Sequence, residues 1–567
     1  MYRHFNHRAG VQPALPGSPA PNPLIAFGEV ISKPLCIHTL NSLFLPMSRN
    51  SFLPLGVAIL IGLAGAPPAR TQTTNPDSSL QSILDKLEGT HLPLNAAVQH
   101  ALEKATSVRL AEAAYLAARG SARREAGSFD PELFLNLNYL DQQSPTASFF
   151  AGATVLATRQ TTAKGGLRMD LPIGTNIEAS LNTVRLETNS SFAFLNPQYT
   201  AFGSITLRQP LLGGLWVSAR KNLTKADQEL EAAKARYDQE VLAVSTQVEQ
   251  GYWDLYAAER DFAVQKLTRD RADAFLKETE VRARTGLIGP NQVANARTFL
   301  AEQEILLLDR EEQLDHTSDQ LASLIGYRPE GGTTRLGTMD HPPAEFPVEE
   351  VDVLVQSAVQ RNLTLQAARA DVEAQRTLSK AAFWEALPKV DLVASLGGDG
   401  LSGTPRDVVF GGDTLRTTVS GTSGDAASQA LKRDFPNWSV GVEVTIPIGL
   451  RSGFGEQDRL DAEVMAAELR EIELTRTLRD QVRSSYRELF HGQRRLKAAR
   501  EGVDAAQEQV RIGLIEFQNG RSTAFELVRL GTDFAAAQQR YSQALVRSAK
   551  AAASLRQLTS GAYPGTH

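Results

Sequence analysis

The segment Tyr252–Leu255, read YWDL, recurs 234 positions later as Tyr486–Leu489, read YREL. Around both segments, apolar residues stand at every seventh position. In the second half these positions are Val482, Leu489, Leu496, Val503, Val510 and Phe517, and 234 positions earlier the chain has Val248, Leu255, Phe262, Arg269, Leu276 and Ala283, of which only Arg269 is not apolar. After a short break the heptad positions continue as Val293, Leu300, Leu307, Leu314 and Leu321, with the partners Leu527, Phe534, Tyr541, Ser548 and Leu555 at the same displacement. A heptad repeat of this length predicts long helices that pack as a left-handed coiled coil. The constant displacement between the two copies indicates an internal duplication.

Both halves predict the same order of elements. The first half predicts a helix at 95–127, strands at 132–139 and 200–208, a long helix at 213–285 and a return helix at 291–325; the second predicts a helix at 350–386, strands at 389–396 and 438–446, and a long helix at 451–519 before its own return helix. The strand segments alternate apolar and polar residues, as half-exposed strands do. In each half the first helix and the return helix together are about as long as the long helix. We therefore expect two short helices, stacked end to end, to pair with each long one.

Two further segments lie between the strands. Residues 167–181 alternate around Gly174 and predict an additional hairpin, which only the first half has. Residues 397–434 are rich in Gly, Ser, Thr and Asp and predict a surface loop in the second half.

The beginning of the chain predicts export. Read from Met47, it has a basic start, an apolar run to Ala66 and small residues toward a cleavage site, which is the pattern of a secretory signal. We expect a signal peptide at 47–70 and an upstream extension or disordered segment at 1–46; a buried core segment is the alternative reading of the apolar run. The mature chain is then expected to contain a first repeat at 90–327, a linker at 328–347 and a second repeat at 348–560.

The composition argues against several classes of function. The 567 residues include 59 Lys and Arg against 64 Asp and Glu, so no basic surplus is available for a nucleic-acid backbone. The single cysteine, Cys36, rules out a disulfide framework and a cysteine-based zinc site. The chain has no phosphate-binding loop, no GxSxG motif and no HExxH pair. We therefore expect no enzyme, no cofactor and no metal site.

The sequence predicts an exported chain with about four principal strands and no transmembrane helix. If these strands lie in a membrane, they must form a closed sheet. Membrane strands must close into a barrel, because an open edge leaves backbone groups unpaired in lipid. Membrane barrels have at least about eight strands, so four strands must be pooled with those of other copies. Three chains would supply twelve.

The duplicated order of elements and the two YxxL segments resemble the TolC-type outer-membrane efflux proteins, over about residues 90–560. The resemblance implies a mainly α fold with membrane β, in which long coiled-coil helices form a periplasmic α-barrel and about four strands per chain contribute to a shared trimeric 12-stranded β-barrel. It implies a passive exit channel in the outer membrane, with a long periplasmic extension, for a tripartite efflux or type I secretion system. The implied partners are a homotrimer, a periplasmic adaptor protein, an inner-membrane pump and outer-membrane lipid, without nucleic acid.

Two other classes stay open from the sequence. One is a soluble periplasmic coiled-coil scaffold, and the other is the adaptor subunit of such a pump. The alternating strands and the two complete helical hairpins favour the channel over both. Drug efflux, metal efflux and protein secretion are all compatible with the residues.

A glycine-centred turn joins the long helix to the return helix in each half, at Gly286 and Gly520, again 234 positions apart. Glycine suits a helix end because a left-handed backbone costs it little. In the resembling family these turns form the closed periplasmic entrance and contact the adaptor. The implied docking residues are Thr285, Gly286 and Leu287 in the first turn and Asn519, Gly520, Arg521 and Ser522 in the second. The alternative is that the polar residues here, with Asn291 and Ser522 or Thr523, only cap the return helices.

The family also narrows its entrance with carboxylates just past the second turn. The resemblance assigns the first of these positions to Glu526, so a trimer would carry a ring of three. Three residues later the chain has Arg529, which can pair with Glu526 on the same helix face. An entrance constriction at Glu526 and Arg529 and an ordinary surface ion pair are therefore the two interpretations.

Overall fold

The computed structural model describes residues 78–328, 335–347, 349–561 and 563. The predicted extension at 1–46, the predicted signal peptide at 47–70 and part of the predicted linker at 328–347 lie outside the described residues. Among the residues described, no helix is both long and apolar enough to cross a membrane.

Helices make up most of the described chain. In order they are α1 (Ser78–Leu84), α2 (Leu94–Lys104), α3 (Thr106–Ala126), α4 (Trp216–Ala219), α5 (Lys221–Arg284), α6 (Pro290–Ile325), α7 (Val351–Arg361), α8 (Leu363–Ala386), α9 (Ser423–Lys432), α10 (Arg451–Gln518) and α11 (Ala524–Leu558). The two long helices α5 and α10 have 64 and 68 residues, and their return helices α6 and α11 have 36 and 35. The prediction of two long helices, each with a return helix of about half its length, is confirmed.

The first helix of each half is broken, which the sequence did not predict. The break between α2 and α3 lies at Ala105, and the break between α7 and α8 lies at Asn362; both residues have extended backbone, with ψ of 122° and 124°. The side chain of Asn362 accepts a hydrogen bond from the N–H of Leu365 at 3.2 Å and donates one to the carbonyl of Leu558 at 3.1 Å. The matching position of the two breaks is a further sign of the duplication.

The predicted heptad positions form the buried seam between the long and return helices. Those that are at least nine-tenths buried are Val248, Leu255, Phe262, Leu314, Leu321, Val482, Leu489, Leu496, Val503, Phe517, Phe534, Ser548 and Leu555. The two halves also interlock, because α8 packs against both α5 and α10, and α11 packs against α5. One large buried apolar cluster therefore contains residues of both halves.

Tyr252, the first residue of the YWDL segment, connects α5 to two distant segments of the chain, at Leu92 and at Met339–Asp340. Its buried hydroxyl donates to the carbonyl of Leu92 at 3.0 Å and accepts from the N–H groups of Met339 and Asp340 at 2.8 and 3.0 Å. Burial raises the pKa of Tyr252 to about 12. Tyr486, its counterpart, is only partly buried and stacks on Phe490 instead. The repeated segment thus packs differently in the two halves.

In the described ranges, the strands form one large sheet and two small pairs. In order they are β1 (Thr90–Leu92), β2 (Glu132–Pro145), β3 (Val155–Asp170), β4 (Asn176–Thr188), β5 (Leu195–Leu212), β6 (Leu336–Thr338), β7 (Lys389–Pro405), β8 (Val408–Phe410), β9 (Asp413–Leu415) and β10 (Phe435–Thr445). The large sheet is antiparallel throughout and has the order β10-β7-β5-β4-β3-β2. The pairing of β5 with β7 joins the first half of the chain to the second.

The large sheet has six strands, two more than the about four principal strands expected from the sequence. The additional two are β3 and β4, the strands of the hairpin predicted around Gly174. They pair from Asp170 and Asn176 outward, and Gly174 has a φ of 90°, which suits glycine at a tight turn. The hairpin is therefore confirmed, and it continues the sheet in place of projecting from it.

The prediction of a surface loop at 397–434 is wrong for much of that segment. Strand β7 continues to Pro405, and the segment also contains β8, β9 and the helix α9. Helix α9 packs against β5 and β7, where a side chain at Gly398 or Gly400 would collide with its backbone. The glycines thus permit close packing of a helix on the sheet, a role that composition alone does not distinguish from a loop.

Asp261 on α5 is a half-buried carboxylate with a predictable effect on stability. Its Oδ1 atom finds no hydrogen-bond partner among the described residues, and burial raises its pKa to about 6. Because the folded form then binds more protons than the unfolded form, stability should fall as the pH rises from about 4 to 6. We expect Asp261→Asn to raise the free energy of unfolding at pH 7 by up to about 3 kcal/mol.

The measurement is chemical unfolding in detergent at pH 4.5 and pH 7.5, with the half-exposed Asp270→Asn as control. The loss of stability between the two pH values should shrink only in the Asp261 variant. An unchanged pH dependence in that variant would contradict the argument.

Candidate functional site

The first turn, at the end of α5, is built around Gly286 with a φ of 75°. The N–H of Leu287 donates to the carbonyl of Arg282 at 3.0 Å, and the N–H of Gly286 donates to the carbonyl of Ala283 at 3.1 Å. These two bonds define a Schellman motif, in which a left-handed residue satisfies the last helix carbonyls.

The second turn, at the end of α10, repeats this geometry. Gly520 has a φ of 71°, and its N–H donates to the carbonyl of Phe517 at 3.0 Å. The N–H of Arg521 donates to the carbonyl of Glu516 at 2.9 Å. The residues before the two glycines, Thr285 and Asn519, also have nearly the same backbone angles, with φ of −85° and −84°. The predicted glycine turns are therefore present twice, in the same form.

The caps of the return helices differ from one of the predicted alternatives. Helix α6 begins after Gly289 with a proline at its first position, so Asn291 lies inside the helix and is not its cap. Helix α11 is capped by Thr523, whose side chain accepts from the N–H of Glu526 at 3.3 Å. Of the two residues proposed for that cap, Thr523 is the one used and Ser522 is not.

The polar side chains beside the glycines mostly bond to their own helix ends. The hydroxyl of Thr285 donates to the carbonyl of Arg282 at 2.9 Å, and the amide of Asn519 donates to the carbonyl of Ile515 at 2.9 Å. These two residues therefore bond to the ends of the long helices α5 and α10, and not to the return helices that the alternative interpretation named.

The turns also expose large apolar side chains. Leu287 is 75% exposed, and Phe525 in the first turn of α11 is 68% exposed. Sequence analysis singled out Leu287 but missed Phe525. The available signal was that Phe525 is off the heptad lattice, which runs through Leu527, so it cannot face the seam.

The two turns belong to one surface, because aromatic packing joins their helices just behind them. The rings of Phe275 on α5 and Phe517 on α10 lie 6.2 Å apart, edge to face. The guanidinium of Arg282 lies over the ring of Phe517 at 4.1 Å, within the range of a cation–π contact. Ala296 and Leu527, from the two return helices, complete this apolar cluster.

Glu526 and Arg529 lie one turn apart on α11, at the edge of this surface. The Nη1 atom of Arg529 is 4.0 Å from Oε2 of Glu526, and their side chains are 66% and 46% exposed. At that distance the two charges attract weakly in water. Both therefore remain accessible to a solute or to another chain.

The six-stranded sheet is a second candidate surface, because its two faces differ sharply. Directly paired residues share a face, and one row across all six strands is Leu133, Leu167, Ala179, Ile205, Leu396 and Trp438. The edge residues of this row, Leu133 and Trp438, are 81% and 74% exposed. An exposed apolar band of this width is unusual on a protein surrounded by water.

The opposite face of the sheet is polar and carries ion pairs between strands. Glu132 pairs with Arg168 at 2.6 Å, Lys164 with Glu178 at 2.8 Å, and Arg208 with Asp391 at 2.7 Å, as the nitrogen–oxygen distances show. Two ion pairs on the apolar side, Arg159–Asp141 and Arg185–Glu187, lie farther along the strands, away from the row of Leu167 and Ala179. The sheet is thus apolar on one side over the rows near Leu167, and charged on the other. Among the described residues, no group of three or more His, Cys, Asp and Glu side chains is arranged to hold a metal ion.

Comparisons with solved structures match this fold. The outer-membrane channel OprN is 16% identical, with a TM-score of 0.59 over 86% of this chain and 93% of that protein. The outer membrane protein VceC of Vibrio cholerae is also 16% identical, with a TM-score of 0.57 over 83% of this chain and 97% of that protein. The MtrE outer membrane channel of Neisseria gonorrhoeae is 17% identical, with a TM-score of 0.56 over 82% and 89%. The TM-scores show a shared fold, and at identities this low the comparison shows the fold alone.

Sequence comparison identifies the family. None of the curated proteins matches the chain. The sequence model of the outer membrane efflux proteins, however, matches residues 97–327 and 354–561, once in each half. These two matches cover most of the chain, which therefore belongs to the outer membrane efflux protein family, a family of channel proteins and not of enzymes.

Proposed function

We propose that this protein is the outer-membrane exit duct of a tripartite efflux or type I secretion system. It assembles as a homotrimer, whose sheets together form a membrane barrel and whose helices extend into the periplasm. A periplasmic adaptor docks at the helix turns, and an inner-membrane pump supplies the energy and selects the cargo. The family membership and the fold shared with solved outer-membrane channels support this proposal.

The observation that carries the proposal is the exposed apolar face of the large sheet. In water this face would cost roughly 25 cal/mol for each Å² of apolar surface, whereas in lipid it is solvated. The charged opposite face suits the aqueous lumen of a barrel, since membrane strands alternate lipid-facing and lumen-facing residues. A soluble periplasmic scaffold or an adaptor subunit would leave the apolar row from Leu133 to Trp438 in water.

The docking role of the turns is supported by their exposed apolar side chains. Leu287 and Phe525 project from rigid helix ends that are held together behind the turns by the Phe275–Phe517 contact. A rigid surface with a few apolar anchors is what a partner helix hairpin needs for close approach. Arg521, in the second turn, would provide a polar contact at the rim.

The proposed channel can be tested by purifying the protein from outer membranes in mild detergent. Its native mass and its conductance in planar bilayers are then measured. We expect a mass of three mature chains and discrete channel conductance. A stable monomer without conductance would refute the proposal.

The same recordings test the entrance constriction. Three Glu526 carboxylates near the axis of a narrow opening would attract cations, so Glu526→Gln should lower cation selectivity by about twofold or more, with little change in thermal stability. Arg529→Gln is the matched control: removing the neighbouring positive charge should raise cation selectivity. If Glu526 only forms a surface ion pair, worth about 0–1 kcal/mol, selectivity will stay the same in both variants.

A further inference from the structure

The hairpin β3–β4 occupies an unexpected position in the large sheet. It is inserted between β2 and β5, the two strands that the first half would otherwise pair with each other. The whole of β2, from Glu132 to Pro145, pairs with β3, and β4 pairs with β5 from Asn176 to Leu186. The hairpin is thus a structural part of the sheet, with hydrogen-bonded neighbours on both sides.

We propose that this hairpin is part of the membrane wall, so that three chains close an eighteen-stranded barrel and not a twelve-stranded one. This inference rests on the proposed function, from which it takes the trimer and the lipid-facing sheet. Each chain then brings six strands, and β2 of one copy pairs with β10 of the next.

The lengths of the inserted strands fit a membrane wall. Strand β3 has 16 residues and β4 has 13, and a tilted strand needs about 9–11 residues to cross the hydrocarbon core. Two strands folded outside the membrane would have no need to match the length of their neighbours.

The side chains of the hairpin continue both faces of the sheet. Leu167 and Ala179 lie in the apolar row, and the next residues on that face toward the turn are Met169 and Ile177. On the other face, Lys164 pairs with Glu178, and Arg168 pairs with Glu132 of the neighbouring β2. Charged pairs in lipid are costly, so this polar face requires the water-filled lumen.

The number of strands is also compatible with ring closure. Because the six strands alternate in direction, the edge strands β2 and β10 run in opposite directions. Adjacent copies can therefore join edge to edge in the antiparallel manner that continues around membrane barrels. An odd number of strands per chain would have forced a parallel pairing at each junction.

The test is cysteine accessibility in membranes, in a Cys36→Ser background. Ala179 and Ser180 are adjacent on β4, face opposite sides of the sheet, and are both half-exposed in the single chain. Leu396 and Ser395 provide the same contrast on β7, a strand that the proposed function already places in the wall. Each residue is changed singly to cysteine and reacted with a small, membrane-impermeant maleimide.

If the hairpin lines the wall, Ser180→Cys should react at least about tenfold faster than Ala179→Cys, because lipid excludes water from one face only. The same ratio is expected for Ser395→Cys over Leu396→Cys, and native mass should give three chains. A contrast on β7 with equal reaction on β4 would overturn the eighteen-stranded barrel while leaving the duct intact. No contrast on β7 would contradict the proposed function itself. If both strands show the difference in reaction rate but the native mass gives only two chains, the ring would contain twelve strands, six from each chain. That result would also overturn the count of eighteen.

Discussion

Leu396→Arg is expected to remove nearly all assembled protein from the outer membrane. Leu396 lies in the apolar row of the sheet, between Ile205 on β5 and Trp438 on β10. An arginine near the bilayer midplane costs about 2–4 kcal/mol in a membrane barrel, and a trimer would carry three of them. The sum is comparable to the whole stability of many folded proteins, so we expect at least a tenfold loss of assembled trimer.

The matched control for this substitution is its neighbour on the same strand. Ser395 pairs with Thr206 and Ser439 and therefore belongs to the polar face. Ser395→Arg introduces the same charge and bulk on the polar face, so assembly should remain close to the wild-type level. The measurement is the amount of detergent-extracted trimer in outer-membrane fractions. Equal losses in both variants would indicate general misfolding and would contradict the assignment of the two faces.

Gly286→Pro and Gly520→Pro are expected to abolish export while leaving the trimer assembled. Proline holds φ near −65°, whereas these glycines have φ of 75° and 71°. Proline also lacks the N–H that each glycine donates to a carbonyl, at Ala283 and Phe517. We expect each substitution to lower local stability by more than about 1 kcal/mol, in the substituted turn and not in the sheet.

The control for the turn variants is Gly289→Pro in the same connection. Gly289 has a φ of −81°, which proline can adopt. Export is measured as complementation of a deletion strain, with trimer yield measured in parallel. We expect at least a tenfold loss of complementation for the two turn variants and near-normal complementation for the control. Full complementation by either turn variant would mean that its glycine only ends a helix.

Much of this architecture could be predicted because it is periodic. The heptad positions, the two long helices and the glycine turns repeat at one displacement, so each copy supported the other. The turns at Gly286 and Gly520 could also be predicted, because the left-handed backbone that ends a helix requires only a local residue, glycine. Phe525 was missed because it repeats nothing: the position 234 residues earlier is Asn291.

The features that could not be predicted depend on contacts between distant parts of the chain. Alanine is the best helix former, so Ala105 carries no local signal for the helix break that the fold places there. Asn362 is a good cap by itself, but its second hydrogen bond goes to Leu558, far away in sequence. Gly398 and Gly400 resembled loop glycines because the helix that packs on them, α9, is visible only in three dimensions.

The pairing of β5 with β7 has a consequence for the order in which the chain can fold. Ile205 and Leu396 are partners although roughly 190 residues separate them, and such distant contacts slow folding. The chain is synthesised from its amino terminus onward. One edge of β5 therefore stays unpaired until the rest of the first repeat and the first helices of the second repeat have been made. Open edges of this kind invite aggregation. We therefore expect the sheet of the first repeat to be completed only when β7 of the second half has followed.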